Sequence, residues 1–321
     1  MKRGPFSSRM RLLRGLAGAC LAGVILTACA GAGFEGAPPP EWQDPALQPN
    51  QVWTTDDGQG IELAYNTYGV TQSGQPAILF LHGWCENRWF WKPTATALQE
   101  RTLCVTVDLP GYGDSSDAGA PADPVVWAQR LAEFAMGVHD GPWVVVGHSL
   151  GGVVALETAR HLQTAERASG VVVVHGLYDP SREFDKEMTQ AFAASMQKDF
   201  TGQIDAYVNA LVPPRSAGAL SGWVANQMKA TEANVAIAGL EALEGYDLIT
   251  CLKALKVPVR AINAGMRATN RTANQRLIAD FDVFILESID GPGLDLMLQD
   301  PVGFRALLDR ALQEFSAPSQ E

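Results

Sequence analysis

The hexapeptide Gly147-His148-Ser149-Leu150-Gly151-Gly152 constrains this chain more than any other stretch. It follows the apolar run 143–147 and precedes a helical pattern over 150–163. A strand that turns at once into a helix is crowded, so residues without side chains are needed around the turning point. Such a turn thrusts the Ser149 hydroxyl out at the C-terminal edge of a sheet. It also aims the positive end of the following helix at that edge. A bare Gly-x-Ser-x-Gly recurs by chance, but one set between a buried strand and a helix predicts an exposed nucleophile on an α/β scaffold.

The surrounding pattern agrees. Short β-rich runs alternate with helical ones, which predicts an α/β fold: a mostly parallel eight-stranded sheet flanked by helices. The strands are expected at 51–54, 61–68, 77–81, 103–108, 143–147, 171–175, 257–263 and 282–287. The run Val171-Val172-Val173-Val174 lacks polar alternation, as a strand buried on both faces should. Helices are expected at 89–100, 124–138, 150–163 and 301–315; Asp123 and Pro124 make a cap-and-first-turn pair for the second. Residues 179–245 are helical in character and fall between strands six and seven. They are expected to form a cap over the strand ends, splitting the core into 51–178 and 246–321.

The first residues are of another kind. Lys2, Arg3, Arg9, Arg11 and Arg14 precede an apolar stretch over 16–26 that is short for a bilayer span. It ends in Leu26-Thr27-Ala28-Cys29, which resembles the bacterial lipobox. The resemblance implies that 1–28 is a signal peptide, that Cys29 is lipidated, and that the Pro-, Gly- and Ala-rich segment 29–50 tethers an exported domain to a membrane at the cell envelope, on its periplasmic or extracellular face. Loss of those five cations takes the formal charge from −11 to −16. Nucleic acid is therefore not an expected partner. Cys85, Cys104 and Cys251 would remain in an oxidising compartment and allow at most one internal bridge. No Cys-x-x-Cys or His-rich spacing occurs, so no metal is expected, and no organic cofactor is implied.

Three motifs together carry a resemblance. Leu81-His82-Gly83-Trp84 follows the third strand, Asp108-Leu109-Pro110-Gly111-Tyr112-Gly113-Asp114-Ser115 follows the fourth, and the Ser149 turn follows the fifth. In that order they resemble the α/β-hydrolase family from about 51 to 315. The resemblance implies a serine nucleophile at Ser149 and an oxyanion hole built from the backbone N–H groups of Trp84 and Leu150. His82, His148 and Asp114 are expected to be structural.

The likeness fails at the other two catalytic positions. In the family an acid follows strand seven and a histidine follows strand eight. Here Gly265-Met266-Arg267-Ala268-Thr269-Asn270 follows strand seven, and Gly291-Pro292-Gly293-Leu294 stands where Gly-x-Gly-His would, so Leu294 takes the histidine's place. His175 is the last histidine in the chain. It ends strand six, beside the nucleophile's strand, and is the best substitute base, with Asp179 or Asp295 as its orienter. Asp295 itself, with an ordinary pKa of about 4, is poorly matched to a serine hydroxyl. Cys85 is expected to be buried or bridged.

Two functions stay open at this point. One is a serine-type hydrolase of a small, apolar ester or related acyl substrate. The other is an inactive relic that binds a small ligand or protein partner at the cell envelope. The sequence does not set the oligomeric state.

Overall fold

A computed structural model describes residues 51–55, 60–72, 75–116, 122–181, 186–212, 219–265, 267–288 and 293–316. The expected signal peptide, Cys29 and the tether lie outside the described residues. No described helix is long and apolar enough to cross a membrane.

Eight strands form one sheet in the order β1-β2-β4-β3-β5-β6-β7-β8. They are β1 Gln51–Thr54, β2 Glu62–Tyr68, β3 Ala77–Leu81, β4 Cys104–Val107, β5 Trp143–His148, β6 Ala168–Val174, β7 Val259–Ala264 and β8 Phe281–Leu286. β1 and β2 run antiparallel at one edge, and β4, β3, β5, β6, β7 and β8 are parallel. Every residue of β3, β4 and β5 is buried, as their mostly apolar character requires when helices cover both faces.

The helices stand close to their expected places. α1 is Lys92–Leu98, preceded by a 3₁₀ turn at Arg88–Trp91. α2 is Pro124–Val138, α3 is Leu150–Thr164, and α11 is Pro301–Ser316. Asp123 accepts from the Val125 amide and starts α2 as its sequence suggests. Between β6 and β7 lie α4 Lys186–Lys198, α5 Phe200–Leu211, α6 Ala219–Lys229 and α7 Ala233–Glu241, followed by α8 Leu248–Ala254. The short helices α9 Arg271–Gln275 and α10 Leu296–Gln299 follow β7 and β8. The main departure is at 89–100, expected as one helix. There Pro93 opens a new α-helix directly after the 3₁₀ turn, which bends the segment around buried Arg88.

Several contacts hold the insertion against the core. The Trp84 indole N–H donates to the Ala236 carbonyl of α7 at 2.7 Å, and its ring packs on Phe192 of α4 and Tyr207 of α5. Asn87 donates to Gln227 at 2.8 Å, and Phe90 packs on Trp223. These helices therefore cover the loop after β3. Cys85, Cys104 and Cys251 are three separate buried thiols.

Candidate active site

The turn from β5 to α3 has the geometry that its residues demanded. Ser149 sits at φ +49° and ψ −113°, a strained conformation for a residue with a side chain. Its amide is held by the Val174 carbonyl at 2.9 Å. A Cβ on Gly147 would lie 2.1 Å from the Gly151 carbonyl oxygen, and one on Gly151 would lie 2.2 Å from that of His82. Those glycines let α3 start directly on the end of β3. The Ser149 side chain is half-buried, and no described residue hydrogen-bonds its hydroxyl. Leu150 is the first residue of α3, so its amide lacks an intrahelical acceptor and is free to meet developing negative charge.

The loops beside it are fixed by buried polar groups. The Leu109 amide donates to His82 Nε2 at 2.9 Å, while His82 Nδ1 donates to the Gly83 carbonyl at 2.8 Å. Burial holds this imidazole down at about 3, so it is a neutral strut between two loops. Arg88 is wholly buried and pairs with Asp108, donates to Asp114 at 2.8 Å and to Asn66 at 2.8 Å. Burial raises Asp108 to about 6 even against the pull of Arg88. The Asp114 amide in turn donates to Asp108 at 2.9 Å. Asp114 thus holds the loop, as expected.

His175 is buried, and it too has positive φ, +56°. Three asparagines stabilise its turn. Asn263 bonds both the amide and the carbonyl of Gly176 at 3.0 Å, Asn274 donates to the Leu177 carbonyl at 2.8 Å, and the Asn270 amide donates to the Tyr178 carbonyl at 2.6 Å. The His175 ring lies 5.9 Å from that of His148 and 5.6 Å from that of Tyr178, edge to face. Its Nδ1 lies 3.3 Å from the Leu294 carbonyl oxygen. Donation there leaves the lone pair on Nε2, the tautomer a general base needs.

The residues expected as orienters are differently engaged. Asp179 accepts from the Ser181 amide at 3.0 Å and hydroxyl at 2.6 Å, and from Asn270 at 3.2 Å. Asp295 is buried with Glu86 and His148. These three bring donor atoms within 4.8 Å of one another, the only such cluster among the described residues. Glu86 Oε1 is 2.8 Å from His148 Nδ1. Two ligands at about 2 Å from a tetrahedral ion would stand about 3.3 Å apart, so this is the spacing of a shared proton. Leu294 is buried, and its carbonyl also accepts from His148 Nε2 at 2.9 Å. At the strand-seven position, Gly265 faces the Glu287 carboxylate, 2.5 Å from where a Cβ would be. An acid thus reaches that place from just beyond β8. Sequence reading missed Glu86, Arg88 and the three asparagines. Their types are ordinary in loops, and only long-range contacts reveal them.

A half-buried serine on a strained strand–helix turn, two fixed loops and a helical cover are thus brought together on one α/β fold. The model of the alpha/beta hydrolase family matches residues 78–314, and the chain belongs to that family. A pimeloyl-[acyl-carrier protein] methyl ester esterase of Pseudoalteromonas atlantica is 29% identical over 198 residues, covering 59% of this chain and 75% of the relative. The Vibrio campbellii protein of the same name is 31% identical over 141 residues, 41% of this chain and 52% of its own, so the chain spans about half of that relative's length. Among solved structures, a thermophilic esterase from Thermogutta terrifontis superposes with a TM-score of 0.68 at 21% identity, over 85% of this chain and all of the other.

Proposed function

We propose that this protein is a serine esterase that acts on a small, apolar acyl ester through Ser149, with His175 in the role of the general base. The observation that carries this reading is the Ser149 turn: a strained residue with an unengaged hydroxyl at the foot of a helix. Strain of about 1–3 kcal/mol persists where the surroundings impose it, and such positions cluster at reacting centres. The esterases named above support an ester as the substrate class.

The steps follow from the residues. Ser149 Oγ attacks the ester carbonyl carbon while its proton passes to His175 Nε2. The amides of Leu150 and Trp84 donate to the oxyanion. Collapse of the tetrahedral adduct expels the alcohol, which takes the proton from His175, and leaves an acyl group on Ser149. Water, deprotonated by His175, then releases the acid and restores the serine. In this reading the acyl group would lie toward the insertion over Trp84, whose ring packs on Phe192 and Tyr207.

One observation favours a second reading. His175 Nδ1 faces a neutral carbonyl, which stabilises an imidazolium less than a carboxylate does. In serine proteases, replacing that carboxylate by a neutral group costs about 10⁴-fold. A protein that binds an acyl ligand without turning it over fits the same geometry. We also propose that an exported chain is anchored through lipidated Cys29; metabolic palmitate incorporation lost in Cys29→Ser is the result expected.

The test is labelling with a fluorophosphonate probe followed by peptide mapping. An adduct on Ser149, absent in Ser149→Ala, supports the esterase. No adduct on the folded wild type overturns it in favour of the binding role.

A further inference from the structure

A buried network runs beneath the site and links its two halves. The Gly83 amide, next to the oxyanion residue Trp84, donates to Glu86 Oε2 at 2.7 Å. Glu86 Oε1 meets His148 Nδ1 at 2.8 Å, and His148 is the neighbour of Ser149. His148 Nε2 donates to the Leu294 carbonyl, which also faces His175 Nδ1. A single side chain, Glu86, is thus joined to the oxyanion loop, to the nucleophile's strand and, through one carbonyl, to the candidate base.

We propose that Glu86 is a positioning residue of this site, a buried neutral carboxylic acid whose O–H donates to His148 Nδ1 and so sets, through His148 and the Leu294 carbonyl, the orientation of His175. This inference rests on the esterase reading for its catalytic consequence, but not for its hydrogen-bond assignment.

Proton accounting supports it. His148 can give Nε2–H to Leu294 and stay neutral only if Nδ1 accepts, and Glu86 is the group beside Nδ1. With Glu86 ionised and His148 neutral, His148 Nδ1 would be buried facing only a carboxylate, as both Asp295 oxygens are buried without a donor. A proton on Glu86 gives His148 Nδ1 its donor, and one on Asp295 gives that acid a hydrogen bond to Glu86, which leaves a single oxygen unmet. The groups facing Glu86 are His148 from β5, His175 from the end of β6, Asp295 after β8, and the Cys85 thiol on its own loop. Burial pushes Glu86 up to about 8 and Asp295 well above the carboxylate range, while it lowers His148 to about 4. The neutral arrangement therefore holds between about pH 4 and 8 and fails above, when Glu86 loses the proton it donates.

Gln is the isostere that decides the matter, because its amide N–H₂ donates to His148 Nδ1 while its oxygen still accepts from Gly83, at any pH. The experiment measures the rate of Ser149 phosphonylation from pH 6 to 9.5 in the wild type, Glu86→Ala and Glu86→Gln, together with ¹⁵N-histidine spectra of the same proteins. Expected are a wild-type rate that falls above about pH 8, a loss of about 100-fold in Glu86→Ala from misplacement of the base, and recovery of most of that loss in Glu86→Gln with no alkaline fall. The spectra should show His148 as the Nε2–H tautomer at pH 7, persisting to pH 9.5 only in Glu86→Gln. An alkaline fall unchanged in Glu86→Gln, or His148 with its proton on Nδ1, overturns the proposal. Should the folded wild type resist labelling, the esterase reading falls, and the tautomer of His148 still decides the role of Glu86.

Discussion

Ser149 and His175 carry positive φ values of +49° and +56° on neighbouring strand ends, so the two residues assigned to the chemistry are also backbone outliers. The space that lets Ser149 adopt its turn is supplied by Gly151. Gly151→Ala would press a methyl against the His82 and Leu81 carbonyls, backbone atoms that cannot rotate away. Overpacking of this kind costs about 1–3 kcal/mol, which a urea titration should register along with loss of labelling. A second prediction concerns the buried acids. Glu86 is raised from 4.5 to about 8 on folding, so the folded chain holds a proton there that the unfolded chain releases. Its contribution to stability is complete below about pH 4.5 and is lost as the pH rises through about 8, at about 1.4 kcal/mol per pH unit across that window. Asp295, shifted in the same direction by burial and by Glu86, adds to the slope. Asp295→Asn should thus flatten the decline in urea midpoint between pH 5 and 9, and an equally steep decline would show that Asp295 holds no proton in the fold. The Ser149 turn was legible because it is a local pattern. Glu86 was not, because its meaning arises from residues 62 and 209 positions away.

Among the elements, the segment after β3 does the most to shape the site, and it departs most from its sequence pattern. Residues 89–100 read as one helix, yet Arg88 draws the chain into a 3₁₀ turn so that its guanidinium meets Asp108, Asp114 and Asn66. Propensity is a weak prior where a buried charge must find its partners. Removing one partner strands the other, so Arg88→Ala should destabilise by about 3–5 kcal/mol in urea unfolding. A loss under 1 kcal/mol would mean that water reaches Asp108. The contact between the insertion and the core makes a separate prediction. Gly239 of α7 lies against Tyr112, where a Cβ would fall 2.1 Å from the phenol oxygen, and that oxygen has no hydrogen-bond partner among the described residues. Gly239→Ala should weaken the fit of the insertion and lower the melting temperature, and Tyr112→Phe should restore it. Additive losses in the double variant would show that the two residues do not meet. The helical character of the insertion was readable in its sequence. Their docking on Trp84 was not, since an indole N–H reaching a carbonyl 152 residues away leaves no periodic trace.

For the whole molecule, the parallel order β4-β3-β5-β6-β7-β8 brings the ends of β3, β5 and β6 together, and with them Trp84, Ser149 and His175. Strand count, the mostly parallel sheet and the family follow from three motifs and an alternating pattern. The identity of the base does not, because the chain lacks a histidine beyond position 175 and several residues could stand in. His175 Nδ1 has the Leu294 carbonyl beside it, while Asp179 accepts from Ser181 and Asp295 lies buried with Glu86 and His148. The central claim is that Ser149 is activated by His175, and release of p-nitrophenol from a short-chain p-nitrophenyl ester in the first turnover tests it most directly. The account predicts a burst approaching one equivalent of enzyme in the wild type, and a burst slowed by at least about 100-fold in folded His175→Ala. A burst of equal rate in both would contradict it, and would place the proton acceptor on another residue.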